Sequence, residues 1–444
     1  TAAKVERATL SNGMKVQFVA NHAVPVVRMQ IALDGGVSAD SREKPGTQRL
    51  MLGLLREATN GALGALDGPE IARRLERLGS SVSASAALDR TRISLNALTP
   101  NLAPSVQLFA DIVSRPTFPD DQLERIRGQV LADLANEATE PGGIAFRAAP
   151  ALIYGPDHPY GQSFNGNGTP EGVKAITQAD LKAFHAALLQ PADAVLFVVG
   201  DTTLADVLPL LEQNFGKLKP GAKPLPLAKA AAPAPQAPGR IILYDRPGAP
   251  QTFILAGAPL ALTGRDDILP LGLANDVFGG LATSRLNKLL REEKGWSYGA
   301  SSSAAPTRGN MPFLLTAPVD RAHAGESIAA IRSLLGEFRS TRPPEAGEVD
   351  RARASSIRSL PADFETGGAV LGALGLAAED ERQIAESGAR LAADETRFRS
   401  ADVGAPIAVP GVPDGRGEIL TESGARIDVE VRGGIAARID EPGY

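Results

Sequence analysis

The chain contains no cysteine among its 444 residues. That absence removes disulfides, thiolate zinc sites and a cysteine nucleophile together. It leaves the compartment open, because a chain without disulfides folds in either redox environment. Histidine is nearly as scarce, with only His22, His158, His185 and His323. No two of them stand within a turn or two of helix, so a local zinc motif of the HExxH or HxxEH kind does not exist. No apolar run approaches the ~18–20 residues that span a bilayer. There is no excess of basic charge either. A net charge of -5 argues against nucleic acid and anionic membrane as partners. What remains is the balance of a globular protein, 43% hydrophobic and 22% charged. The start at Thr1-Ala2-Ala3 is compatible with a trimmed signal peptide or a cloned fragment. We expect a periplasmic protein, with the cytoplasm as the alternative.

Residues 217–238 are rich in proline and alanine and lack hydrophobic period, the composition of an extended, semi-stiff connector. They divide the chain into expected domains at 1–216 and 239–444. The two halves repeat an order. In the first, strands are expected at 5–10, 14–19 and 26–33, with Ser11-Asn12-Gly13 as a hairpin turn. Helices at 47–56 and 69–78 follow, then a hairpin of 82–87 and 91–98. Helices at 102–114 and 120–136 flank Arg115-Pro116, and a buried strand at 194–199 closes the half. The second half offers strands at 240–244 and 251–256, helices at 268–278 and 284–294, and a hairpin of 298–304 and 312–317. Helices at 324–339 and 345–360 follow, with Arg342-Pro343-Pro344 between them. Duplication explains the parallel, and the expected class is α+β: two similar domains, each an antiparallel sheet with helices on one face.

Several segments resemble the pitrilysin / mitochondrial-processing-peptidase zinc peptidases, the inverzincins. Leu10-Ser11-Asn12-Gly13-Met14-Lys15-Val16 is similar to the family's first hairpin. Arg115-Pro116-Thr117-Phe118-Pro119 through Val130 is similar to its "RPxFp" region. His158-Pro159-Tyr160-Gly161 and the stretch from Gly168 to Thr177 resemble its "hPyg" and "Gtpesvkait" stretches. Val198-Val199-Gly200-Asp201 resembles the strand closing the first half. Ser284-Arg285-Leu286, with Leu290-Arg291-Glu292-Glu293-Lys294-Gly295-Trp296-Ser297-Tyr298, resembles its "SRLxxxlREkxGlaY" signature. The match runs in order from about residue 5 to 375. It implies two like domains, and in the two-chain branch of the family a clam-like closure around a peptide. The tail from about 388 does not match.

In active relatives a helix carries H-x-x-E-H, two zinc ligands and the glutamate that polarises water, with a further acid downstream. The family frame places Arg49, Leu52 and Gly53 at the His, Glu and His positions. A guanidinium stays cationic and repels zinc, leucine offers no lone pair, and glycine has no side chain. Asp133 falls at the distal acid. Read alone, it is a solvated acid on a helix also bearing Glu124, Arg125, Arg127 and Glu137. No metal ligand and no cofactor are therefore expected in this chain.

The resemblance also assigns a substrate grip, an arginine and a tyrosine that bond the peptide backbone near the scissile carbonyl. Here these are Arg291 and Tyr298, a planar fork of donors and a phenol. The plain alternative pairs Arg291 with Glu292 or Glu293 and leaves Tyr298 half-buried on a strand edge. A chain without the zinc set that keeps the grip implies a partner, an HxxEH-bearing homologue carrying zinc. The expected function is thus the non-catalytic, peptide-binding subunit of a heterodimeric zinc metallopeptidase. A structural core subunit and a peptide-binding homodimer without proteolysis are the alternatives.

Overall fold

A computed structural model describes residues 4–221, 223–225 and 241–377, and the strands within 416–420, 426–432 and 435–438. Most of the expected connector, and residues 388–415 of the tail, lie outside the described residues. In chain order the first half runs β1 (Glu6–Thr9), β2 (Lys15–Ala20), β3 (Val26–Asp34), α1 (Thr47–Leu54), β4 (Ala58–Gly61), β5 (Gly64–Asp67), α2 (Gly68–Leu78), β6 (Ser81–Ala86), β7 (Arg90–Leu98), α3 (Leu102–Ser114), α4 (Asp120–Glu137), α5 (Pro141–Tyr154), α6 (Pro170–Ala175), α7 (Gln178–Leu188), β8 (Val195–Gly200) and α8 (Leu204–Phe215). The second runs β9 (Ile242–Tyr244), β10 (Gln251–Thr263), α9 (Leu269–Asn275), α10 (Arg285–Asn287), β11 (Ser301–Ala304), β12 (Asn310–Asp320), α11 (Ala324–Arg339), α12 (Ala346–Ser359), α13 (Gly367–Ala377), β13 (Arg416–Leu420), β14 (Arg426–Arg432) and β15 (Ile435–Arg438).

Local chemistry sets many of these boundaries. Asp67 caps α2 by accepting from the Glu70 amide at 2.8 Å, and Gly79 ends the helix at φ +61°. Thr177 and Asp180 form a capping box on α7. Arg115-Pro116 stops α3 at Ser114, as expected.

The chain divides into two compact units that do not coincide with the two expected halves. Unit 1 comprises Thr1–Glu137, Gln162–Lys229 and Arg358–Glu395; unit 2 comprises Ala138–Gly161, Ala230–Ile357 and Thr396–Tyr444. The first half thus gives residues 138–161 to unit 2, and the second gives α13 to unit 1.

Unit 1 is built on a six-stranded sheet in the order β1-β2-β8-β3-β7-β6. Its pairs are antiparallel except β2 with β8, which run parallel, so the sheet is mixed rather than the antiparallel one expected. The reason is connectivity. Strand β8 arrives only after the helices of the half and inserts between β2 and β3. Every residue of β8 is buried because both faces of the sheet are covered. Leu196 and Val198 enter the main core with Leu50, Phe109 and Leu181. Val195, Phe197 and Val199 meet Val370, Leu371 and Leu374 of α13 on the other face. Helices on one face only was therefore too simple: α13 supplies the second layer.

Unit 2 holds a three-stranded antiparallel sheet in the order β10-β12-β11. Leu286, Leu290, Phe313, Leu315, Val319 and Ile331 form its core. Helix α5 packs on β10, with Phe146 and Phe253 ring centroids 6.0 Å apart. Tyr154 donates its hydroxyl to the Asn310 carbonyl at 2.7 Å, and the Tyr160 hydroxyl accepts from the Gly309 amide at 2.8 Å. His158 stacks on Tyr154 at 4.9 Å. The His-Pro-Tyr-Gly segment is thus a buried clasp inside unit 2. In the unmatched tail, β13 pairs parallel with β9 and begins a sheet in the order β15-β14-β13-β9.

Candidate functional site: a helix without ligands and an exposed arginine–tyrosine loop

Helix α1 begins at Gly46, whose φ of +99° and close approach to Val173 suit glycine alone. Leu50, Met51 and Leu54 turn into the core. The opposite face presents Arg49, Leu52 and Gly53, the three positions that the resemblance sets at the family's His, Glu and His. Sequence reasoning placed Asp133 at the distal acid, and α4 does bring it to this helix. Arg49 Nη2 lies 3.5 Å from Asp133 Oδ2, with both side chains about half exposed (50% and 52%). An ion pair so solvated is worth under about 1 kcal/mol. A guanidinium therefore faces the acid that the resemblance sets at the distal position. A β-carbon on Gly53 would stand 3.1 Å from Ile126 Cγ2, so α4 packs close where a second imidazole would need room. These residues do not fit zinc. Among the described residues, no three His, Cys, Asp or Glu side chains gather to hold a metal ion.

Above this face lies a cleft of about 360 Å³. One wall is Arg49, Leu52, Gly53 and Arg56; the other is β6, from Val82 to Ala86. Strand β6 ends the sheet, pairing only with β7 among the described residues.

Asp40 holds the N-terminus of α1. It is buried, and its carboxylate accepts from the Gly46 amide at 2.7 Å and the Gln48 amide at 2.9 Å. Burial pushes its pKa up to about 7 against the opposing pull of the Gln48, Gly46 and Thr47 amides. Because the folded value lies above the unfolded one, folding retains a proton between them. The stability this contributes is complete below about pH 4 and lost as pH rises through about 7. The urea midpoint is expected to fall between about pH 5 and about pH 8, and Asp40→Asn to narrow that difference. Equal differences in the two proteins would contradict this role for Asp40.

The second element lies in unit 2. Arg291 sits in a π-helical turn, Lys288–Glu293, that continues from α10. π turns frequently mark functional sites. Arg291 is exposed and has no ion-pair partner among the described residues, neither Glu292 nor Glu293. Tyr298 is 89% exposed, well beyond a half-buried strand edge. The loop presenting it is nonetheless fixed. The Trp296 and Ser297 amides both donate to the Leu290 carbonyl. The Ser297 hydroxyl donates to the Pro318 carbonyl at 2.6 Å, and the Asn287 side chain accepts from the Ala300 amide at 3.2 Å. Trp296 is half-buried and stacks on His323, with ring centroids 4.9 Å apart. A rigid loop thus holds a large aromatic ring out in solvent, on the same stretch of chain as an arginine without an ion-pair partner among the described residues.

Two family profiles match, and they follow each other along the chain. Residues 15–157 match insulinase (peptidase family M16), and residues 175–356 match the peptidase M16 inactive domain. The chain belongs to peptidase family M16. An uncharacterized zinc protease of Mycobacterium leprae is 26% identical over 68% of this chain and 66%, just under two thirds, of its own length. A non-peptidase homolog, YmxG of Helicobacter pylori, is 23% identical over 79% of this chain and 78% of its own. The crystal structure of a peptidase M16 inactive domain from Pseudomonas fluorescens superposes with a TM-score of 0.80 at 26% identity, covering 90% of this chain and 92% of that one. The inactive-domain profile covers the second half of the chain, and Arg49, Leu52 and Gly53 on α1 hold no metal-ligating side chain. The M16 fold accounts for its two α+β units. No helix among the described residues is long and apolar enough to cross a membrane.

Proposed function

We propose that this chain is the peptide-holding subunit of a heterodimeric zinc metallopeptidase, the zinc being carried by an HxxEH-bearing M16 partner. One observation carries the reading: Arg291 and Tyr298 are both exposed and, among the described residues, uncommitted, while the loop between them is pinned. A residue serving only this chain's stability is normally paired or packed. Donors held ready by a rigid scaffold suit recognition of a carbonyl and of the charge that develops on it. The edge strand β6 supports the same reading, because an extended peptide can add to it through main-chain hydrogen bonds with little sequence bias. Periplasmic residence belongs to the proposal, and cell fractionation tests it.

The direct experiment mixes the purified chain with an HxxEH-bearing M16 chain from the same source. Turnover of an unstructured peptide should appear in the mixture and be absent from this chain alone. A mixture no more active than the partner by itself would overturn the proposal. A structural core subunit would give that result together with a stable complex.

A further inference from the structure

We infer that the cleft over α1 selects acidic peptide segments, its two arginines reading carboxylates on a strand added to β6. The inference rests on the peptide-holding reading above and names the class of peptide.

Strand β6 reads Ser81-Val82-Ser83-Ala84-Ser85-Ala86 and forms the open end of its sheet. Natural sheets guard such an edge with proline, lysine or a bulge, because unpaired amides and carbonyls recruit other strands. This edge has no proline and no charge, its register with β7 is unbroken, and its side chains are too small to obstruct an incoming strand. It is built to be paired.

The cleft beside it has a definite charge. Arg49 on α1 and Arg56 on the turn just beyond line the wall facing β6. Arg56 is exposed and has no hydrogen-bond or ion-pair partner among the described residues. Arg49 has only its solvated 3.5 Å contact with Asp133, which a peptide carboxylate can replace at little loss. The nearest acid on the turn, Glu57, is held by Arg125 at 2.6 Å. The wall therefore offers two guanidiniums against one loosely engaged carboxylate. Between them lie Leu52 and Gly53, which add no charge. Guanidiniums match carboxylates in bidentate geometry. Two separate cationic points favour a segment with acidic side chains on one face over a single chain terminus. Side chains of an added strand meet the cleft at every second residue, so alternating acidic residues suit it. The position that zinc chemistry vacated thus becomes a subsite of specificity.

The test measures binding of fluorescein-labelled peptides to the full chain by anisotropy at low salt. The peptides are alternating Thr-Glu, Thr-Gln and Thr-Lys, amidated at the C-terminus, with a Thr-Gln free acid as a further arm. Thr-Glu should bind about tenfold more tightly than Thr-Gln, with Thr-Lys weakest. In Arg49→Gln/Arg56→Gln the Thr-Glu preference should collapse to about onefold. Arg321→Gln/Arg339→Gln, exposed arginines elsewhere that change the net charge equally, should keep it. Equal binding of Thr-Glu and Thr-Gln to the native chain overturns the inference and leaves peptide holding intact. A preference that survives the Arg49/Arg56 variant, or a larger gain from the free terminus than from Glu side chains, overturns it too. Failure of every peptide to bind overturns both readings.

Discussion

In a reconstituted pair, replacing Arg291 with Ala and Tyr298 with Phe is expected to lower turnover by about 10²–10³-fold while the two chains stay associated. The size follows from the task. Donors aimed at an oxyanion in a closed site act where charge develops, so their loss appears in kcat more than in peptide affinity. Structure separates this effect from unfolding. Arg291 is exposed and unpaired among the described residues, and the hydroxyl removed by Tyr298→Phe belongs to a ring that is 89% exposed. Such substitutions move stability by no more than about 0.5 kcal/mol. Steady-state kinetics on the mixture, beside urea titration and native mass of each variant, checks all three quantities. Unchanged turnover with an intact complex would remove the gripping role.

Arg285→Ala should do the opposite: it should destabilise unit 2 and say little about chemistry. Arg285 is six residues from Arg291 but only 9% exposed. Its Nε and Nη2 grasp Glu348 at 2.8 and 2.5 Å. Its Nη1 and Nη2 also donate to the Arg342 and Pro343 carbonyls at 2.5 and 2.9 Å. Its carbon lies 5.4 Å from the Phe338 ring centre. One guanidinium thus ties α10 to α12 and to the Arg-Pro-Pro segment before it. Truncation leaves Glu348, 20% exposed, without its cation. The expected loss is about 3–5 kcal/mol, read from the urea midpoint. Arg285→Met with Glu348→Leu should be milder than Arg285→Ala alone, because no charge is stranded. A single variant as stable as the native chain would contradict the buried-pair account.

The residues of both candidate elements could be named from the sequence because their chemistry is decided by type, and the structure adds their exposure and neighbours. Arg, Leu and Gly cannot ligate zinc wherever α1 lies, and the family frame gave their positions. Helices with strong period and clear stops were legible as well: 102–114 and 324–339 match α3 and α11 residue for residue. Less visible was structure held by distant partners. A helix was expected over 284–294, but only three α-helical residues precede the π turn, because Ser297 and Ala300 are drawn back onto Pro318 and Asn287. The expected strand at 298–304 is shortened to 301–304 for the same reason. The helix expected at 268–278 becomes α9 and a second π turn at Asp276–Gly280, where a β-carbon on Gly279 would strike Ser302. Helix α5 was missed because two glycines open it and Pro150 sits inside it. Its membership of unit 2, and that of α13 in unit 1, depend on packing partners far along the chain, which local periodicity does not encode.

The central claim is that this chain lacks the metal chemistry and supplies the grip. The most direct measurement takes zinc content and peptide turnover together on three samples: the purified chain, its HxxEH-bearing partner, and their mixture. The account predicts no stoichiometric zinc and no turnover for this chain alone, and the greatest turnover in the mixture, with zinc in proportion to the partner. Stoichiometric zinc and peptide cleavage by the isolated chain would contradict it.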